Sequence, residues 1–193
     1  MSKKFLLSVI VPCFNEIRTI NEIIKRIKNS PIENKEIIII DDGSTDGSRE
    51  FLENLIDDDI TVLFNNENKG KGASIAKGIK SSTGDIIIIQ DADLEYDPSE
   101  YPKMVNPIID NKADVVYGSR FKGDSLHRVV YFKHRIGNAF LTFLSNLFTD
   151  LNLSDMETCF KSFRREIITD IYLSEKRFGF EPEITAKISK KNC

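Results

Sequence analysis

Cysteine is scarce in this chain. Its 193 residues hold three, Cys13, Cys159 and Cys193, widely spaced, odd in number and without a Cys-x-x-Cys pair. That excludes a disulfide scaffold and a thiolate zinc site, and it fits a reducing cytosol. A surplus of positive charge is missing too: 27 basic residues stand against 30 acidic ones, for a formal net charge of -3. Nothing therefore draws the whole surface toward nucleic acid or an anionic membrane, and an anionic ligand must be held locally. Long apolar runs are absent. The first residues, 1–11, begin like a leader, but Pro12 cuts the run short and no small-residue cleavage site follows. The uncharged stretch 136–149 falls below the ~20 residues that cross a bilayer as a helix. No transmembrane segment is expected, and the expected location is the cytoplasm or the cytoplasmic face of a membrane. Two nucleotide signatures are lacking as well. There is no P-loop, and no Gly-x-Gly-x-x-Gly follows the first apolar run, which sets aside P-loop and dinucleotide-dependent dehydrogenase readings.

What remains is a chain with 40% hydrophobic and 30% charged residues, enough for one domain with a substantial core. Short β-rich runs at 6–11, 36–40, 60–64, 85–89 and 114–117 alternate with helical patterns at 19–28, 48–56, 71–80 and 99–111. In the first helix Ile20, Ile23, Ile24 and Ile27 share one face; in the last, Pro98 supplies a start signal. Repeated βα units predict an α/β fold, a mainly parallel sheet covered by helices on both sides. After Arg120 the alternation stops, and helices near 131–148 and 165–172 with a short strand near 159–163 are expected.

Ligands of such sheets sit beyond the carboxyl ends of the strands. The segments there are polar: Pro12-Cys13-Phe14-Asn15-Glu16, Asp41-Asp42-Gly43-Ser44, Gln90-Asp91-Ala92-Asp93 and Gly118-Ser119-Arg120. Residues two apart on an extended segment point the same way, so Asp91 and Asp93 are expected to face one crevice with Glu95 close behind. Three carboxylates repel one another unless a hard cation such as Mg2+ or Mn2+ joins them; the plainer reading is a solvated loop. Asp41 and Asp42 offer acceptors to a ribose or base, while Asp46 serves equally well to cap the following helix. Asn68-Lys69-Gly70-Lys71-Gly72-Ala73 reads either as an anion-binding helix start or as a solvated turn.

In order and spacing these segments, together with Asp155-Met156-Glu157-Thr158-Cys159-Phe160-Lys161, resemble the family 2 glycosyltransferases of the GT-A fold, and within them the dolichyl- and polyprenyl-phosphate sugar synthases. The resemblance implies a single domain over 1–193, with a nucleotide-sugar-binding half at 1–120 and an acceptor-side region at 121–193. It implies a donor site of Pro12, Phe14, Asn15, Glu16, Asp41, Asp42, Lys71, Asp91, Ala92 and Asp93, in which Asp93 and Glu95 hold the cation and Asp91 lies near ribose and diphosphate. Asp91, Asp93 and Arg120 form the implied catalytic set. Such enzymes invert configuration in one displacement, moving a hexose from a nucleoside-diphosphate sugar to a polyprenyl phosphate.

A phosphate monoester with a second pKa near ~6 is already a nucleophile at neutral pH and needs cationic positioning rather than a base. Arg120 leads for that task, with Lys133 and Arg135 next in a local basic cluster that also holds His127, Arg128 and His134. A glycan hydroxyl acceptor would need a base, which Asp155 or Glu157 offers. A third reading is a nucleotide-sugar-binding module without turnover. The apolar stretch 139–148 reads as core packing or as a face that meets lipid. Sequences of this group continue past the match to Phe178-Gly179-Phe180-Glu181 with a further strand and a basic loop; here the chain stops at Cys193, and an acceptor side cut short is expected.

Overall fold

The computed structural model describes residues 5–121 and 132–191. The leader-like residues 1–4, the basic His127 and Arg128, the expected helix start at Tyr131 and Cys193 all lie outside the described residues. The elements run β1 (Leu7–Cys13), α1 (Ile20–Lys28), β2 (Lys35–Asp41), α2 (Ser48–Glu53), β3 (Ile60–Phe64), α3 (Lys71–Ser81) and β4 (Ile86–Ile89). A 3-10 turn (Pro98–Glu100), α4 (Tyr101–Ile109), β5 (Val115–Tyr117), α5 (Phe132–Thr149), β6 (Lys161–Arg164), α6 (Arg165–Thr169) and α7 (Phe180–Ile188) complete the chain.

The strands make one sheet in the order β3-β2-β1-β4-β6-β5. β1, β2, β3 and β4 pair in parallel, and β6 runs antiparallel to both β4 and β5. Isoleucine runs such as Ile37–Ile40 and Ile86–Ile89 are buried on both faces, as strands covered on two sides must be. One face packs Leu7, Val9, Ile37 and Ile88 against α1 and α4; the other packs Ile10, Ile38, Ile87 and Ile89 against α3, α6 and α7. β1 runs two residues beyond its expected end and includes Pro12. Ile10 accepts the last ladder bond on the β4 side, from Gln90 N, and Pro12 faces that same side past the end of the ladder, where its missing N–H is harmless.

Three departures from the sequence pattern matter. The expected helix at 99–111 is split by Pro102 into a 3-10 turn and α4, with Asp97 accepting from Ser99 N at 2.9 Å as the cap. Helix α7 was not foreseen, although Phe180, Ile184 and Ile188 are all buried at helical spacing. Most consequential is the direction of β6. Because it is antiparallel, the residues before it, 155–160, rather than those after it, arrive at the carboxyl ends of β1 and β4.

Candidate active site

Four loops meet at that edge of the sheet. Asn15, in a left-handed conformation (φ 58), ties two of them: its N–H donates to Ser44 Oγ at 2.9 Å and its Oδ1 accepts from Thr45 N at 2.8 Å. Glu16 is half-buried, taking Thr19 Oγ1 at 2.7 Å, while Ser48 Oγ accepts from its N–H. Pro12 is half-buried beside it and Phe14 is 45% exposed, so this loop presents an aromatic edge and fixed backbone to the crevice.

Asp41 and Asp42 depart from expectation. Both carboxylates are buried. Asp41 accepts from Gly43 N and Ser44 N at 3.2 and 3.3 Å, with Arg49 Nη1 at 3.5 Å. Asp42 accepts from Asn65 Nδ2, Lys69 N and Gly70 N at 2.7, 3.0 and 2.7 Å. In this geometry neither side chain reaches into the crevice. A carboxylate filled by backbone amides is a loop clamp, and these two hold the β2–α2 and β3–α3 loops to each other.

The start of α3 is likewise closed. Ala73 N donates to Lys176 O at 3.1 Å, and a Cβ on Gly70 (φ +95) would lie 2.4 Å from the same carbonyl. The segment 174–177 therefore covers the helix N-terminus, and the anion-cradle reading of 68–73 gives way to a packed turn. Alanine at Gly70 combines a disfavoured φ with a backbone clash, so Gly70→Ala should cost about 1–3 kcal/mol in urea unfolding. An unchanged midpoint would show that segment 174–177 does not pack there.

What Lys71 offers is its side chain. Nζ sits 2.6 Å from Asp91 Oδ1 and also donates to Cys159 Sγ. Burial works against the ammonium, but the charge and hydrogen bond of Asp91 together with the contacts to Cys159 outweigh it and hold Lys71 charged above the ordinary lysine range. Burial pushes the Cys159 thiol up, so it keeps its proton and donates to Glu181 Oε1 at 3.2 Å. A chain of contacts thus runs from Asp91 through Lys71 and Cys159 to Glu181 at the head of α7.

The Asp91-Ala92-Asp93 loop owes its shape to Gln90, fully buried, whose Nε2 donates to the carbonyls of Asp91 and Tyr96 at 3.1 Å each while Tyr101 Oη donates to its Oε1 at 3.0 Å. Ala92 is buried, and Leu94 takes a positive φ of 66 to reverse the chain. Asp91 therefore turns to Lys71, and Asp93 points outward with Oδ1 accepting from Glu95 N at 2.9 Å. The three carboxylates do not converge as expected: no group of three or more metal-ligating side chains is gathered among the described residues. The chain turns at Ala92 and Asp93 and so leaves the extended path whose two-residue alternation would have aligned them. The donor set still suits a hard cation, since Mg2+ takes one or two protein carboxylates and completes its shell with substrate phosphate and water. Asp93, exposed, and Glu95, half-buried, are the oxygen donors in place.

On the other side Arg120 is fixed by Asp155. Nε and Nη2 each lie 2.8 Å from one carboxylate oxygen, and the Arg120 amide donates to the same group at 3.1 Å. That fork-on-carboxylate bond holds the guanidinium charged. Asp155, 1% exposed, is thereby removed as a base candidate. Glu157 is half-buried, and burial together with nearby Glu181 raises its carboxyl above the usual range. Arg120 and Arg135 lie over the Phe121 ring at 5.6 and 5.8 Å, so two of the three expected cations share one aromatic. Lys133 is exposed in the first turn of α5.

Beneath this side lies Lys161, with no exposed surface, donating to the carbonyls of Met156 and Thr158 and resting 4.8 Å from the Tyr117 ring. Burial pushes its ammonium down to about 8 from an ordinary 10.5. The folded form then gives up its proton before the unfolded chain does, so this group's contribution to stability is present above pH 10.5 and lost as pH falls through 8. In urea unfolding, the stability of the wild type relative to Lys161→Met should rise across that window; a flat difference would remove the argument.

Sequence reasoning missed Cys159, Glu181 and Lys161. Cys159 and Lys161 stand in the 155–161 segment that carries the resemblance, yet the sequence assigns them no role, because it does not reveal the direction of the strand they lead into.

With the geometry in place, comparison with known proteins is informative. The chain is 29% identical over 184 residues to the dolichol-phosphate mannosyltransferase of Pyrococcus furiosus, covering 93% of this chain and 52% of that protein. It is 26% identical over 208 residues to the UDP-N-acetylglucosamine--dolichyl-phosphate N-acetylglucosaminyltransferase of Methanococcus voltae, covering 97% and 82%. The chain thus spans about half the length of the first of these relatives. The crystal structure of glucosyl-3-phosphoglycerate synthase from Mycobacterium tuberculosis with Mn2+, uridine diphosphate and glucosyl-3-phosphoglycerate superimposes with a TM-score of 0.69 at 21% identity, over 92% of this chain and 63% of that one. The fold is GT-A. A profile of the family described as "Glycosyl transferase family 2" matches residues 8–172, and the chain belongs to that family.

Proposed function

We propose that the protein transfers a hexose from a nucleoside-diphosphate sugar to a polyprenyl phosphate, inverting the anomeric carbon in one displacement. The observation that carries this reading is the Arg120–Asp155 pair. It holds a charged guanidinium at the loop we assign to the acceptor and occupies Asp155 in an ion pair, which supports a reaction without Asp155 as base. A phosphate nucleophile needs a positioned cation and no base. Arg120, with Arg135 across the Phe121 ring, fits that requirement. The relatives named for transfer to dolichyl phosphate support the same acceptor class.

On the donor side, the loop of Pro12, Phe14, Asn15 and Glu16 would receive the nucleoside, and Asp41 and Asp42 would act through the loops they clamp. Lys71 is placed to exchange Asp91 for a donor phosphate, freeing Asp91 toward the ribose and sugar side. Asp93 and Glu95 would hold Mg2+ or Mn2+ jointly with the diphosphate. When bound, such a cation neutralises charge that develops on the departing nucleotide.

A second reading, addition to a glycan hydroxyl, is favoured by one observation, the raised Glu157 carboxyl at the edge of the same crevice. Acceptor competition separates the two. Product formed with polyprenyl phosphate and not with sugar hydroxyls supports the first; the reverse overturns it. Metal-dependent nucleotide binding with no transfer to either acceptor would mark a binding module.

A further inference from the structure

Helix α5 is amphipathic the wrong way round for a surface helix. Its protein-facing side is polar: Thr142 Oγ1 accepts from Met156 N at 3.1 Å, and Asn146 bonds the N–H and C=O of Leu153 at 3.0 and 2.8 Å. Thr142 is its only buried residue. Most of the large apolar side chains face outward, with Phe132 76%, Phe140 60%, Phe143 61%, Leu147 65% and Phe148 83% exposed, while Leu144 is half-buried. At 3.6 residues per turn these positions, with Ile136 and Leu141, spread over roughly half the circumference. A helix pairing with another helix needs only a narrow seam, whereas a half-cylinder of Phe and Leu is what a helix lying in a lipid interface presents.

Charge points the same way. No acidic residue occurs in Phe132–Thr149, and its ionisable side chains, Lys133, His134 and Arg135, all fall in the first turn. That turn lies beside the acceptor side, since Arg135 shares the Phe121 ring with Arg120 and Arg120 Nη2 reaches Asn138 Oδ1 at 3.5 Å. On a chain with net charge -3, the helix itself carries no carboxylate to repel an anionic surface.

We infer that α5 docks on an anionic lipid surface, its apolar half-cylinder in the headgroup boundary and its basic first turn at the phosphates, so that a lipid-borne phosphate meets Arg120 without leaving the membrane plane. The inference rests on the polyprenyl-phosphate reading for its purpose, but not for its observations.

Flotation of the protein with phosphatidylcholine–phosphatidylserine vesicles, with phosphatidylcholine alone and without vesicles tests it. Wild type should float with the anionic vesicles, and Phe143→Ser/Leu147→Ser should bind them at least about tenfold less. Both positions are exposed, so the variant should unfold at the wild-type urea midpoint. Transfer to a water-soluble short-chain isoprenyl phosphate should match wild type, while transfer to vesicle-borne polyprenyl phosphate should fall. Failure of the wild type to float, equal flotation of the variant, or a wild-type dimer that the variant abolishes would each overturn the inference, the last by making a second copy the occupant. Flotation without transfer to any isoprenyl phosphate would leave the docking face standing and remove the acceptor assignment.

Discussion

Asp93→Ala should abolish metal-dependent binding of a nucleoside diphosphate while leaving the fold almost untouched. The side chain is exposed and accepts from the neighbouring Glu95 amide, so its removal should change stability by less than about 1 kcal/mol. Its proposed work is otherwise. Among the described residues no third carboxylate is gathered near Asp93 and Glu95, so the proposed cation has few protein ligands there and the loss of one should be felt strongly. A loss of a hundredfold or more in Mn2+-dependent affinity, roughly 2.7 kcal/mol, is expected by calorimetry, with the weak metal-independent affinity unchanged. Asp91→Asn should behave differently. It strips Lys71 of its carboxylate and should weaken nucleotide binding with and without metal. Retained metal-dependent binding in Asp93→Ala would show that the division of roles between the two aspartates is wrong.

Arg120→Ala should damage both stability and transfer. It leaves the Asp155 carboxylate, with no exposed side-chain surface, facing an apolar methyl group. Breaking a buried pair from one side costs about 3–5 kcal/mol, and with the guanidinium a quarter exposed the lower end applies. Arg120→Leu/Asp155→Leu removes both charges and should recover much of that loss, because the penalty belongs to the orphaned carboxylate rather than to the missing pair. Transfer to polyprenyl phosphate should stay down at least a hundredfold in the double variant, and Arg120→Lys, which lacks the planar fork, should not restore it. Urea midpoints and turnover with saturating donor separate the two effects. A double variant with normal turnover would remove Arg120 from the acceptor site.

Much of the fold is legible in the sequence because its first 120 residues obey local rules. Isoleucine runs buried on both faces announce parallel strands, and the Ile20, Ile23, Ile24, Ile27 stripe announces α1, each within a residue or two of its observed end. The direction of β6 is another matter. A four-residue strand that pairs with partners more than forty residues away carries no local mark of being antiparallel, and Cys159 and Lys161 therefore went unplaced. Helix α7 was missed although its spacing was readable.

The site was legible as a set of loops, less so as a set of side-chain directions. Composition alone cannot show that Asp41 and Asp42 face inward, since loop amides decide that. Nor can alternation survive the turn at Ala92 and Asp93. The outward apolar face of α5 resisted reading for a simpler reason. An amphipathic pattern fixes which residues share a side, and says nothing about which side meets the protein.

The placement of β6 between β4 and β5 also governs how the chain assembles. Residues 115–117 are made early, yet their partner strand is 161–164, so a nascent chain carries β5 unpaired until more than forty further residues have emerged. Loop closure over that span slows the last step of sheet formation, and the exposed edge meanwhile is open to other chains. A fragment ending near residue 120 would hold the donor loops but not a finished sheet, and it should aggregate rather than fold.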